Sequence, residues 1–124
     1  MKIKVSELKR YDLDWAVIDA LRGHTGYWMD CYFEPHRRQY CETPSSNWAE
    51  GGQIIEREKM SVVRGNDLIF PKGNEVGETS EPLYLARCSE HNSWTHGRTP
   101  LEAAMRCYVA SKLGDEVEVP DEIV

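Results

Sequence analysis

The stretch from Pro44 to Lys59, PSSNWAEGGQIIEREK, gathers residue types suited to holding a small polar ligand. Trp48, with Tyr40 just upstream, offers a flat face for a base or ring. Gly51 and Gly52 let backbone N–H groups come close to a phosphate or ribose. Arg57, with Arg37 and Arg38 before it, can fork onto a phosphate or carboxylate. Ser46 and Asn47 can read polar edges, and Trp94 can close such a pocket. The competing reading is structural: Trp48 anchors a long loop in the core and the glycines serve a turn, since tryptophan is highly buried on average.

Catalysis asks for a nucleophile within reach of a base and an orienting third group. The chain has no G-x-S-x-G elbow, Walker loop, HExxH or kinase signature. His91 and His96, with Glu90, can do acid–base work, but histidines are common in polar loops without such a role. The expectation is a protein without catalytic residues. Cys31, His36 and Cys41 are evenly spaced, and Cys88 and His91 show a ligand-like gap. A structural zinc site usually has two tight ligand pairs, and here there is one. Neither a metal nor a cofactor is expected. Cys107 reads as a small packed side chain in a helix, and disulfides are not expected in an intracellular chain.

Those residues need a scaffold. A chain of 124 residues suits one domain, residues 1–124, and can bury a core without staples. With 40% hydrophobic and 29% charged residues it should fold. No apolar run is long enough to span a membrane, and the N-terminus lacks the apolar stretch of a secretory signal. The net charge of −6 is uneven: residues 115–124 hold five acids and no base, leaving 16 acids and 15 bases elsewhere. The acidic tail reads as a solvated, partly ordered end. No basic stripe for duplex nucleic acid is present.

Lys2 to Val5 alternate polar and apolar as a short strand does. Asp12 reads as an N-cap, and Leu13, Ala16, Val17, Ala20 and Leu21 follow at helical spacing to a stop at Gly23. Tyr27 to Phe33 is aromatic and strand-like. Residues 35–53 read as a long loop, and Gly52 to Lys59 as a short helix or the start of a strand. Met60 to Arg64, a Gly65-Asn66-Asp67 turn and Leu68 to Phe70 predict a hairpin. Residues 71–82 read as a loop, Leu83 to Cys88 as a strand, and residues 89–98 as a polar loop. Thr99, Pro100 and Glu102 predict a capped helix start. Leu101, Ala104, Met105, Tyr108 and Val109 form its apolar stripe, and Gly114 ends it. The fold class is α+β: a small, mainly antiparallel sheet packed by two helices over about 12–22 and 100–113.

Three collinear stretches, MKIKVSEL…LDWAV, TPSSNWAEGGQIIEREK and GRTPLEAAMRCYVASKLGDEVEVPDE, resemble the NinX-like proteins of tailed bacteriophages and prophages, a family of unknown function. They cover about half the chain. It departs from the family pattern at Gln53, where proline is expected. The resemblance implies a phage accessory protein acting in the cytoplasm of the infected bacterial host, with a site region of Ser46, Asn47, Trp48, Gly51, Gly52, Glu56 and Arg57. It implies no chemistry. In that context the expectation is a non-enzymatic binder that sequesters a nucleotide-derived immune signal, an ADP-ribose conjugate or a cyclic nucleotide. The alternative is an adaptor that grips a host protein through the tail and exposed aromatics. A site between subunits of a homo-oligomer fits the first reading.

Overall fold

The computed structural model describes residues 1–22, 32, 41–65, 83–88, 91–121 and 123. Its elements are β1 (Lys2–Lys4), a 3-10 turn (Val5–Glu7), α1 (Tyr11–Arg22), α2 (Trp48–Arg57), β2 (Ser61–Arg64), β3 (Tyr84–Cys88), β4 (His91–Gly97), α3 (Pro100–Leu113) and β5 (Glu116–Glu118). The fold is α+β. The helices pack against two antiparallel sheets rather than one: β1–β5, and β2–β3–β4.

The centre is α3. Its first turn is fixed locally: Thr99 Oγ1 accepts the Glu102 N–H at 3.0 Å, and Pro100 opens the helix where no donor is needed. Glu102 reaches back to the Arg98 N–H at 3.2 Å, one residue before the cap. Gly114 closes the helix at φ +93°, a region that side chains resist. The expected stripe covers only part of what is buried. Leu101 and every residue from Ala103 to Ala110 are sequestered, because the larger sheet, α1 and α2 all pack on this helix. Small residues permit the approach: a side chain on Gly97 of β4 would lie 2.4 Å from the Ala103 nitrogen.

Even Arg106 is only 6% exposed. Its Nε donates to Leu8 O at 2.8 Å and its Nη1 to His96 O at 3.0 Å, while Glu102 lies 3.2 Å away. The guanidinium therefore ties the chain after the 3-10 turn to β4. Burial holds its pKa below the usual value.

Around α3 the core gathers Leu8, Leu13, Trp15, Val17, Tyr32, Met105 and Val109, all essentially inaccessible. Each large side chain there contributes about 1.5–3 kcal/mol of burial free energy.

Several expectations change. Asp12 is not the N-cap of α1. The helix already begins at Tyr11, Arg10 O accepts the Asp14 N–H at 2.9 Å, and Asp12 Oδ1 takes the Lys9 N–H at 2.7 Å. The polar stretch 89–98 contains β4, paired to β3 with Leu85 opposite His96 and Ala86 opposite Thr95. The acidic tail is not simply solvated. β5 pairs with β1, Lys2 to Glu118 and Lys4 to Glu116, while Val117, Val119 and Ile123 enter the core. Cys41 is disulfide-bonded, against the expectation of reduced cysteines. The stop at Gly23, the strand over 27–33 apart from Tyr32, the returning hairpin strand 68–70 and the loop 71–82 also lie outside the described residues. Among the described residues no helix is long and apolar enough to cross a membrane.

Candidate functional site

PSSNWAEGG is a capped helix start rather than the interior of a loop. Asn47 sits in extended backbone at φ −113° and its Oδ1 accepts the Ala49 N–H at 2.9 Å. Glu50, three residues on, grips the turn before the cap: its Oε2 accepts the Thr43 N–H and its Oε1 the Asn47 side-chain amide, both at 2.9 Å. Thr43 O accepts the Ser46 and Asn47 N–H groups at 3.0 and 2.8 Å, closing the turn.

The glycine pair divides two tasks. A side chain on Gly51 would meet Pro44 O at 2.3 Å and Leu101 Cδ2 at 2.6 Å, so Gly51 is the point where α2 presses on the turn and on α3. A side chain on Gly52 would meet only Trp48 Cε3, at 3.8 Å. The Gly51 N–H is spent on Asn47 O at 2.8 Å.

The turn also hangs on α1. Asp14 is 2% exposed, and its Oδ1 accepts the Ser45 N–H at 2.9 Å. Burial raises the carboxyl to about 6, the Ser45 hydrogen bonds opposing the shift. Burial likewise raises Glu50 above the ordinary carboxylate range. Tyr32 donates its hydroxyl to Glu42 O at 2.5 Å and is shifted strongly upward by burial. Arg22 forks onto Glu42 at 2.5 and 2.8 Å.

Between α1, this turn and α2 lies a cleft of about 240 Å³. Arg22, Glu42, Glu50, Gln53 and Arg57 supply its polar wall, and Ile18, Leu21, Pro44 and Ile54 its apolar one. Arg57 holds Glu58 at 3.2 Å and also hydrogen-bonds the Tyr108 side chain of α3, and its side chain is 57% exposed.

The sequence-chosen residues separate. Arg57 lines the cleft and Trp48 does not. Nine positions at ~100° each put Trp48 and Arg57 on opposite faces of α2. Trp48 is 59% exposed, so it is not a core anchor. Ser46, Asn47 and Glu56 are exposed, Asn47 being engaged as the cap. Trp94 stands on β4, 42% exposed, with the Arg87 guanidinium 5.0 Å from its ring centroid. It borders a different cavity of about 260 Å³, with Lys4, His96 and Glu116. Tyr40, Arg37, Arg38, Cys31 and His36 lie outside the described residues.

Sequence reasoning missed Asp14, Arg22, Glu42, Glu50 and Gln53. For Glu50 a signal existed, since Asn47-x-x-Glu50 is a capping pattern. Asp14 stood among Leu13, Trp15 and Ala16, where its burial was readable. Arg22 and Glu42 are twenty residues apart and gave no local sign. Cys107 is the packed side chain expected. Burial beside Cys88 pushes its thiol up to about 12, which keeps it protonated.

Residues 4–112 match the family model described as Bacteriophage P22, NinX. No curated protein matches the chain.

Proposed function

This chain belongs to the bacteriophage P22 NinX family, and from that premise we propose that it is a phage accessory protein that holds a nucleotide-derived anion in the cleft between α1 and α2, by binding without turnover. One observation carries the reading: two guanidiniums, two carboxylates and an amide converge on one cleft whose wall is braced from behind. Arg57 is the group for a phosphate. Glu42 and Glu50 are acceptors for ribose hydroxyls, and Gln53 can pair with a base edge. The bracing by Asp14, Asn47 and Gly51 lowers the ordering cost of binding. At about 240 Å³ the cleft is smaller than most ligand pockets, so it holds the base and sugar and leaves the phosphates at its mouth by Arg57.

Sequestration of a host immune signal in the cytoplasm of the infected bacterium is the role that suits such a binder. It requires only complementarity to the ligand's ground state. The test is to purify the protein from infected, defence-active cells, denature it and identify released small molecules by mass spectrometry. The native chain should release a nucleotide-derived anion, and Arg57→Ala and Gln53→Ala should each lose about tenfold or more of it. Trp48→Ala should retain it. Release of nothing from the native chain, or equal release from all variants, overturns the reading.

The adaptor alternative is favoured by a different observation, the exposure of Trp48 on the face of α2 turned from the cleft. If Trp48→Ala abolishes the biological effect while ligand release persists, the adaptor reading replaces sequestration. Deleting residues 115–124 does not separate the two, because it removes β5 and the buried Val117, Val119 and Ile123.

A further inference from the structure

Among the described residues one side of the small sheet has no strand partner. Among the described strands β5 pairs with β1 alone. Val5 N–H donates to Asp115 O at 2.8 Å and Val119 N–H to Met1 O at 2.9 Å, which makes these the hydrogen-bonded pairs of the ladder. Bonded and non-bonded pairs alternate in an antiparallel ladder. The pairs Lys2–Glu118 and Lys4–Glu116 are then non-bonded, and the backbone N–H and C=O groups of Glu116 and Glu118 point outward.

A cleft of about 500 Å³ runs along β5, walled on the far side by Trp15, Asp19 and Leu113. Lys2–Lys4 do not border it, and from the β1 side it is reached only by Met1, which pairs with Val119. Its apolar part includes Val117, Val119 and the 39% exposed Leu113. Its rim carries Asp19, Glu116, Glu118 and Asp121. Among the described lining residues the one cation is the Met1 ammonium, 3.0 Å from both Glu118 and Asp121. Glu116 has no ion pair among the described residues.

β1 shows what β5 accepts. It is Lys-Ile-Lys, with Ile3 buried opposite Val117 and each lysine opposite a glutamate. We infer that the outer edge of β5 and its cleft are a docking site for an extended segment of a partner protein with the pattern cation–apolar–cation. The segment adds as a third strand, as exposed sheet edges commonly accept peptides. A residue opposite Val117 points to the same face as Val117 and lies against Leu113 in the cleft. The flanking lysines or arginines stand beside Glu116 and Glu118. Charge complementarity selects the partner and speeds its arrival. This site is separate from the α1–α2 cleft and does not depend on what binds there.

The test uses the full chain and fluorescein-labelled peptides of alternating lysine and isoleucine, read by anisotropy at low salt. The basic peptide should bind. Glutamate in place of lysine, or proline at alternate positions with the charge kept, should weaken binding by about tenfold or more. Combined Glu116→Lys and Asp121→Lys should do the same, and affinity should fall as salt rises from roughly 0.05 to 0.5 M. If the reversal destabilises the chain in a thermal melt, Glu116→Gln with Asp121→Asn provides the same comparison without like-charge repulsion. Absence of binding by the basic peptide, or equal binding of the proline version, overturns the inference. So does a self-association in sedimentation that Glu116→Gln abolishes, since a second copy then occupies the edge.

Discussion

Helices α2 and α3 open with the same local device and end in opposite environments. Each has a polar cap, Asn47 or Thr99, and a glutamate three residues later that reaches back to the preceding backbone or cap. Yet α3 is buried around most of its circumference, whereas α2 buries only Gly51 and Ile54 and turns Trp48 outward. Capping decides where a helix starts. How much of it leaves water depends on which surfaces come to it from elsewhere in the chain. The core helix therefore carries stability, and the half-exposed one is free to carry recognition.

The largest effect should come from the core helix. Arg106→Ala removes both donors to Leu8 O and His96 O and leaves those carbonyls and Glu102 without their cation. A loss of about 3–5 kcal/mol in urea unfolding is expected. A loss under about 1 kcal/mol would mean that α3 is less closed than its contacts imply.

Next comes the pair of glycines on α2, which should respond with opposite signs. Gly51→Ala forces a methyl against Pro44 O and Leu101 and should cost about 2–3 kcal/mol. Gly52→Ala finds only Trp48 at 3.8 Å and should gain about 0.5–1 kcal/mol. Equal responses in thermal melts would remove Gly51 as the contact point between the two helices.

The buried acid behind the cleft gives a smaller, pH-dependent effect. Asp14 sits near 6 in the fold against an ordinary 3.8, so the folded state holds a proton between those values that the unfolded state releases. Its contribution to stability therefore rises as pH falls from 7 to 4, by about 2 kcal/mol. Asp14→Asn keeps an acceptor for Ser45 and should flatten that part of the pH profile. An unchanged profile would show that Asp14 is ionised throughout.

The smallest effects should come from the caps. Thr99→Ala and Asn47→Ala should each cost about 1 kcal/mol. Hydrogen exchange should separate them: loss of Thr99 lowers protection across α3 and the larger sheet, whereas loss of Asn47 opens α2 and the 43–47 turn. Uniform loss in both variants would make the two helices one cooperative unit.

Legibility followed the range of the interactions. The cap and end of α3 and the alternation of β1 rest on residues a few positions apart. The first turn of α2 was hidden in the expected loop 35–53, though Asn47 and Glu50 announce its start, and of the two readings left open for Gly52 to Lys59 the helix is the one that forms. β4 was hidden because His91-Asn-Ser-Trp-Thr-His-Gly lacks the alternating apolar residues of a half-buried strand. Its place comes from β3 beside it and α3 beneath it. The tail was misjudged because its five acids outweigh the alternation of Val117 and Val119, whose partner β1 lies over a hundred residues away in the chain.

By itself, then, the sequence determined the α+β class, the limits of α3, the neutral body with an acidic end, and the resemblance now supported by the family match over residues 4–112. Only the tertiary structure decided that Trp48 is exposed rather than a core anchor, that Arg22, Glu50, Gln53 and Arg57 share a cleft, and that Arg106 belongs to the core. The physical reason is that caps and short periodic patterns are satisfied within one turn or one strand. Convergence is a property of surfaces brought together from distant parts of the chain, and no local pattern records it.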